Sequence, residues 1–535
     1  MSNALRATGR PIVFSMCNPD PGDVPWKWSA PIANLWRTTT DIEDNYGSML
    51  FNFEGTVDLS AAAGPGSWND PDLLQIGNGG SSLLEYRTEF SLWAELAAPL
   101  IASTNITTLT PAELAIYENA DVIAVDQDPL GRQGVAVSRA GGLWVLTKPL
   151  AGGDRSVVLF NSTNTAARIA TTAAAVGLPG GQGYRLQDLW SGEITQSAGA
   201  ISAFVPGHGV AMYRISRMNR ELARWIAPHT VLSLSSAAPE LLAGRSTIVR
   251  ETFADDGVNP VKHVKLYFRV APGWHLKRLG KARAKLVNAG HRFSVDFRVT
   301  SPAGNPPFAL GALAGAVSYD PPDSRRTASA TLDERVFAAV PHPFETANTT
   351  GYDGAFGAKA GGLAISARGG GVFQPVNAPP IDSYAAIYEP QRAGTQTSVQ
   401  VTITSDPAGG PAGGAGLIER NAMSAPAGSP AAVALFVSGS GQLIMSWNAT
   451  GGQDVDSRFV LPSVYVHVPV TLRLVRSGST YTGYYSPDRG VTFLPVDAVT
   501  VAAAASAGNQ DVGVFHASGL PTWTTTATFT GLSVS

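Results

Sequence analysis

The feature that most constrains this 535-residue chain is a change of rhythm near residue 128. Before it, short apolar runs alternate with helical patterns; after it the helices stop. Strand–helix alternation calls for parallel strands joined by crossover helices. "RPIVFSMC", "NLWRTTTDI", "SWNDPDLLQIG" and "APLIAST" read as four such strands. Between the third and fourth, Tyr86, Phe90, Trp93 and Ala97 recur at the three-to-four spacing of a buried helix face. "TPAELAIYENA" then opens with Thr110 as a cap, Pro111 in the first turn and Glu113 three residues on. Four such units make half of an eightfold barrel, which needs about 250 residues. The opening "MSNALRATGRPIVFSMC" reads as the last turns of a helix, a stop at Gly9 and a strand over 11–17. The chain is therefore expected to begin in the middle of a fold.

Beyond residue 128 the pattern is all β. "GGLWVLTKPL", "RSVVLFNST", "YRLQDLWSGE" and "GVAMYRIS" suggest a small antiparallel sandwich over 129–217. After a linker near 218–230, Val264, Leu266, Phe268 and Val270 alternate with polar neighbours, as do Phe293, Val295, Phe297 and Val299. This predicts an immunoglobulin-like sandwich over 218–330, with the polar, proline-bearing "SYDPPDSRRTAS" (318–329) as a second linker. In the last block, 335–535, Val470, Leu472 and Leu474 alternate, a Ser-Gly-Ser turn follows, and Tyr481, Gly483 and Tyr485 return; the length suits a two-sheet jelly roll. "SPDRGVTF" resembles an Asp-box hairpin. The fold class expected is multidomain: a partial (β/α) barrel, about strands five to eight, followed by three all-β domains.

Gly (57) and Pro (37) together outnumber the charged residues, as turns joining many short strands require. A net charge of −3 without a long basic run argues against nucleic acid as a partner. "FSLWAELAAPLIA" carries a Glu and is too short to cross a bilayer, so no membrane partner is expected. No basic segment followed by an apolar core marks a secretory signal. Cys17 stands alone, so no disulfide or cysteine metal site can form within the chain, and it is expected to be a buried, inert thiol. The eight His residues show no metal-ligand spacing; neither metal nor cofactor is expected. Asn105, Asn161, Asn348 and Asn448 fit the glycosylation acceptor pattern.

The chemistry concentrates in "NLWRTTTDIEDNY" (34–46), where three carboxylates fall within four residues of one another. Asp41 would stand at the C-terminal end of a barrel strand, where barrel active sites are built. Arg37, four residues earlier, offers a planar fork for hydroxyls or a carboxylate. A plainer reading makes Asp41 a helix cap, since Asp-Ile-Glu-Asp suits a first turn.

Several strings resemble the α-galactosidases (melibiases) of glycoside hydrolase family 27. "NLWRTTTDIEDNY" resembles the family's Trp-Arg-x-x-x-Asp-Ile segment, and "AGPGSWNDPDLLQIGNGG" (62–80) its Gly-Pro-Gly-x-Trp-Asn-Asp-Pro-Asp-Met-Leu signature. "VIAVDQDPLGRQG" (122–134) and "VPGHGVAMYRIS" (205–216) resemble its barrel-to-sandwich junction and last sandwich strand. The resemblance implies that Asp41 is the general acid/base and that Arg37 contacts the sugar. It places Asn18, Trp28 and Leu73 at the substrate, Leu73 replacing the family's Met, and leaves Trp36, Asp70 and Asp72 in support behind them. The loop "CNPDPGDVP" departs from the common pattern, which leaves open galactose, N-acetylgalactosamine, arabinopyranose or isomaltose units. The later domains resemble a galactosidase-associated immunoglobulin-like module and a concanavalin-like (laminin G-type) jelly roll. An extracellular location follows by the same resemblance.

Retaining glycoside hydrolysis uses two carboxyls about 5–5.5 Å apart, one attacking the anomeric carbon and one moving the proton. The family's nucleophile, in a Lys-x-Asp segment ending the fourth barrel strand, would fall before Met1. Asp20 and Asp23 are expected to bind loop amides rather than replace it. The expectation is a chain without its nucleophile, inactive alone, whose partners are an α-galactoside or related carbohydrate and a missing N-terminal barrel half. The alternative is a non-catalytic carbohydrate-binding or adhesive protein that kept a barrel remnant.

Overall fold

The structure, a computed structural model, describes residues 1–17, 24–304, 306–321, 325–373, 381–405, 413–424, 431–439, 441–450, 455–459, 466–502, 505–519 and 523–535. The chain forms two compact units: 1–237 with 247–299 and 312–333, and 238–246 with 300–311 and 334–535.

The first unit opens with a short helix α1 (Ser2–Ala7), closed by Gly9 at φ +66°. Three parallel strands follow, β1 (Ser15–Met16), β2 (Leu35–Arg37) and β3 (Trp68–Asp70), in the order β1-β2-β3. Their register aligns Met16 with Trp36 and Arg37 with Asp70, so all three strands end level. "APLIAST" is not a fourth full strand. It contributes a single parallel bridge, Ala102 to Leu74, because Pro99 interrupts the run and has no N–H to donate to a ladder.

Helix α2 (Tyr46–Val57) joins β2 to β3, burying Tyr46, Met49, Leu50, Phe53 and Val57 along one stripe. Its cap is Asn45, whose side chain accepts from Ser48 N at 2.8 Å. Asp41 is thus not the cap of this helix. Helix α3 (Leu83–Leu96) has a complete capping box between Ser82 and Glu85 and ends at Ala97 in the left-handed conformation. Tyr86, Phe90, Trp93 and Ala97 are all buried, as their spacing predicts. Helices α4 (Pro111–Tyr117), with its Thr110–Glu113 box, and α5 (Ala120–Asp126) complete the segment.

The sandwich comprises β4 (Val135–Ser138), β5 (Leu143–Pro149), β6 (Arg155–Asn161), β7 (Ala167–Thr172), β8 (Gly183–Asp188), β9 (Ile194–Ser197), β10 (Ala200–Val205) and β11 (Val210–Met218). Six of these strands form one sheet, β4-β5-β6-β11-β8-β9, faced by the β7–β10 pair. It is bound tightly to the helices. Phe53 packs edge-on against Trp144 and Phe160 at 5.3 and 5.6 Å. The fully buried Lys148 donates to the carbonyls of Ala94 and Asp126, at the C-terminal ends of α3 and α5, where a cation complements the helix dipole. His208 lies in the turn before β11, not within the strand. Its ring stacks on Tyr46 at 3.8 Å and its Nδ1 meets Glu85 at 2.7 Å.

A short helix α6 (Arg220–Ala223) and a parallel bridge from Pro228 to Gln196 replace the expected linker near 218–230. The strands that follow are β12 (Thr230–Ser236), β13 (Glu240–Leu242), β14 (Ser246–Asp255), β15 (Val261–Val270), β16 (His275–Arg278), β17 (Arg283–Val287), β18 (Arg292–Thr300), β19 (Phe308–Asp320) and β20 (Arg326–Phe337). In the first unit they run β12-β14-β18-β16 and β20-β19-β15-β17, with Val264, Leu266, Val295, Phe297 and Val299 in the shared core. The stretch 318–329 is therefore no linker: residues 318–320 and 326–329 belong to paired strands.

In the second unit, β13 pairs in parallel with residues 335–337 of β20. Two seven-stranded sheets follow, as expected of a jelly roll. Their inward side chains, among them Val470, Leu472, Leu474 and Tyr481, form one apolar core. Asp488 accepts from Ser486 Oγ, Val491 N and Thr492 N at 2.6, 3.2 and 2.9 Å, the Asp-box turn read from the sequence. Those hydrogen bonds hold its carboxyl down at about 2. Asn161 in the sandwich and Asn448 here are fully buried, so neither can carry a glycan in the folded chain.

Candidate active site

Because β1, β2 and β3 end level, Cys17, Arg37 and the turn 70–73 gather at one edge of the sheet. Arg37 is the centre of this group. Its Nη2 lies 2.6 Å from Asp72 Oδ2 and 3.3 Å from Asp41 Oδ1, and donates to Thr39 O at 3.3 Å. Its Nη1 points at Cys17 Sγ, 3.9 Å away. One guanidinium therefore ties three chain segments together, using the fork geometry that a lysine lacks.

The two carboxylates differ in setting. The Asp41 side chain is 88% exposed, while that of Asp72 is 11% exposed. Asp72 Oδ2 also accepts from Ile42 N at 2.9 Å, and its Oδ1 from Leu73 N at 2.8 Å. Asp72 thus fixes the Asp41 loop twice, through Arg37 and through the next backbone amide. Its own backbone sits at φ +91°, a conformation costly for a non-glycine residue. Trp93 of α3 holds it there by donating Nε1 to the Asp72 carbonyl at 2.8 Å, and Asp70 Oδ1 accepts from Asp72 N at 2.9 Å. Burial pushes the Asp70 carboxyl above its usual range, opposed by the Asp72 amide and by Arg37.

The remaining residues of the sequence reading fall around this group. Trp36 is fully buried behind the strand ends, donating to Asn69 Oδ1 at 2.8 Å. Leu73 follows Asp72 and is 37% exposed. Trp28 caps the short 3-10 turn Pro25–Lys27, and none of the hydrogen bonds of Arg37, Asp41 or Asp72 goes to it. Asn18, Asp20 and Asp23 lie outside the described residues. Cys17 is exposed rather than buried, since β1 is an edge strand. Among the described residues, no cluster of His, Cys, Asp and Glu could hold a metal ion.

Two contributors were not read from the sequence. Asn52, fully buried on α2, donates Nδ2 to Thr40 O and Pro71 O at 3.2 and 2.8 Å, bridging the Asp41 and Asp72 loops. An asparagine one step from Phe53 on the apolar stripe was the available signal. Asp44 accepts from Gly80 N at 2.5 Å and from Tyr86 Oη at 2.9 Å, and so ties the same loop to the start of α3. A Cβ at position 80 would collide with the Asp44 carbonyl oxygen, so glycine is required there.

A carboxylate–arginine group at the C-terminal ends of parallel strands, followed by an antiparallel sandwich, stands where barrel enzymes build their sites. Residues 1–128 match the family "Alpha galactosidase A", 140–215 the "Alpha galactosidase C-terminal beta sandwich domain", and 241–315 the "NPCBM-associated, NEW3 domain of alpha-galactosidase". Over residues 1–128 and 140–215 the chain is similar to the α-galactosidase (melibiase) family. It is 41% identical over 213 residues to an alpha-galactosidase of Oryza sativa subsp. japonica, covering 40% of this chain and 51% of that protein. It is 39% identical over 205 residues to an alpha-N-acetylgalactosaminidase of Gallus gallus, covering 36% and 51%. The crystal structure of alpha-galactosidase I from Mortierella vinacea aligns at 30% identity, covering 41% of this chain and 61% of that one, with a TM-score of 0.39. The chain spans about half the length of the curated relatives it matches.

Proposed function

We propose that this chain supplies the proton-transfer side of a retaining glycosidase site acting on terminal α-linked galactose or a related sugar. The observation that carries the reading is Arg37, held at 2.6 Å by the buried Asp72 and reaching the exposed Asp41 at 3.3 Å. Asp41 is then a carboxyl open to ligand yet positioned from behind. It would protonate the departing glycosidic oxygen and later take a proton from water. Arg37 and Leu73 would contact the sugar, with Trp28 and Asn18 facing its substituents. Trp36, Asp70 and Asp72 hold the strand ends.

The attacking carboxylate, on this proposal, comes from residues outside this sequence that complete the barrel. Galactose and N-acetylgalactosamine are the two candidate sugars, because relatives named for each match this chain. The test is hydrolysis of p-nitrophenyl α-galactoside. The chain alone should show no turnover. Supplied with strands one to four of the Oryza sativa relative, it should gain turnover that falls about 10²–10⁴-fold in Asp41→Asn. Turnover by the chain alone that vanishes in Asp41→Asn would refute the placement of the nucleophile. Turnover indifferent to Asp41→Asn would refute the role of Asp41 itself.

A further inference from the structure

The first unit holds a polar cavity of about 470 Å³ well away in sequence from the Asp41 group. Strands β8 to β12 line it on one side, with the end of β19 and the start of β20 on the other. Its volume falls within the range of small-molecule sites, about 300–1,000 Å³.

The wall is built rather than incidental. His229 is buried and both its nitrogens are engaged: Nε2 donates to Ser202 O at 2.7 Å, and Nδ1 pairs with Thr195 Oγ1 at 3.1 Å. The ring is thereby fixed. It packs edge-on against Tyr213, with ring centroids 5.7 Å apart. Tyr213 is 7% exposed, and among the described residues no group hydrogen-bonds its hydroxyl. Burial, with Asp188, Glu193 and Asp256 nearby, pushes the ionisation of that phenol well up, so it stays a neutral O–H. Tyr213 lines the cavity, so its hydroxyl is available to a ligand there.

Other free valences converge on the same space. Asp188 spends Oδ1 on the amides of Trp190 and Ser191, at 2.9 and 2.8 Å, and keeps Oδ2 free. Glu193 Oε1 accepts from Arg326 Nη1 at 3.0 Å, which leaves Oε2. The charges select the ligand. Two carboxylates against one guanidinium repel an anion, and among the described residues no cluster fits a metal ion. Most of the lining is hydroxyl, carboxyl and aromatic, which suits no apolar guest. What remains is a neutral molecule rich in hydroxyls. Its O–H groups can donate to carboxylates in strong charge-assisted bonds, while its C–H faces rest on Tyr319 or Phe204.

We propose that this cavity, between the galactosidase sandwich and the immunoglobulin-like strands, binds a sugar unit of a glycan as a second carbohydrate site. The inference stands whether or not Asp41 is catalytic.

The test is calorimetric titration of the full chain with melibiose, N-acetylgalactosamine and galactomannan. At least one should bind saturably. Tyr213→Phe, which removes only the unpaired hydroxyl, should weaken that binding about tenfold and leave the melting temperature unchanged. Ser329→Trp places a bulky ring at an exposed lining position and should abolish it. Asp41→Asn should leave it intact. Failure of all three sugars to bind overturns the proposal, as does affinity unchanged in both cavity variants. Binding lost in Asp41→Asn but kept in Tyr213→Phe also overturns it, because the sugar then sits at the strand ends.

Discussion

Glu89 carries a pH dependence that solution measurements can read. It lies on α3, 2% exposed, with Oε1 accepting from Gln75 N at 3.0 Å and Oε2 without a partner. Burial pushes its carboxyl up to about 8, opposed by the Gln75 amide and reinforced by Asp44. The folded chain therefore holds this proton more tightly than the unfolded chain, whose carboxyl titrates near 4.5. Its stabilising contribution is complete below about pH 4.5 and is lost as pH rises towards about 8. In Glu89→Gln, melting followed across that window should vary less with pH. The variant should also be more stable than the parent at pH 8, by about 1–3 kcal/mol. A steeper dependence in the variant would refute this. At the same scale, Arg37, Asp41 and Asp72 were legible because each belongs to a motif string. Asn52 and Trp93 were not, because their role is to hold the carbonyls of Thr40, Pro71 and Asp72, and no string records which carbonyl a side chain will meet.

The helices show what local signals can and cannot do. Thr110, Pro111 and Glu113 announced α4, and both halves of that capping box form. The same signature, Ser82 to Glu85, stands before α3, the helix that carries Trp93 and Glu89. Ser82→Ala should therefore cost about 1 kcal/mol of stability, measured by chemical denaturation, because Glu85 N loses its acceptor. An unchanged midpoint would mean that packing alone fixes this helix end. Strand-like runs were less faithful guides. "APLIAST" has strand composition but forms one bridge, and "SYDPPDSRRTAS" has linker composition but lies largely within β19 and β20. Strand pairing is decided by partners remote in sequence, so composition misjudged both. The alternating runs at 264–270, 293–299 and 470–474 were read correctly, since a one-residue slip would have turned their apolar sets to water.

For the molecule as a whole, the β1 edge of the three-stranded sheet predicts association. Ile12 and Val13 beside it are 40% and 74% exposed, next to backbone groups free to pair with another chain. Sedimentation should show association that grows with concentration, and Val13→Lys should suppress it, since a charge on an open edge discourages strand addition. A parent chain that stays monomeric at all concentrations would refute this.

Lys148 has a practical corollary. Its ammonium seals the tail ends of two helices from a strand that lies beyond residue 128, and Trp144 and Phe160 close over Phe53 beside it. Anyone trimming this protein at residue 128, where the first family match ends, would pull out that bolt and bare the aromatic seam beneath. The scissors belong after the sandwich, past Met218.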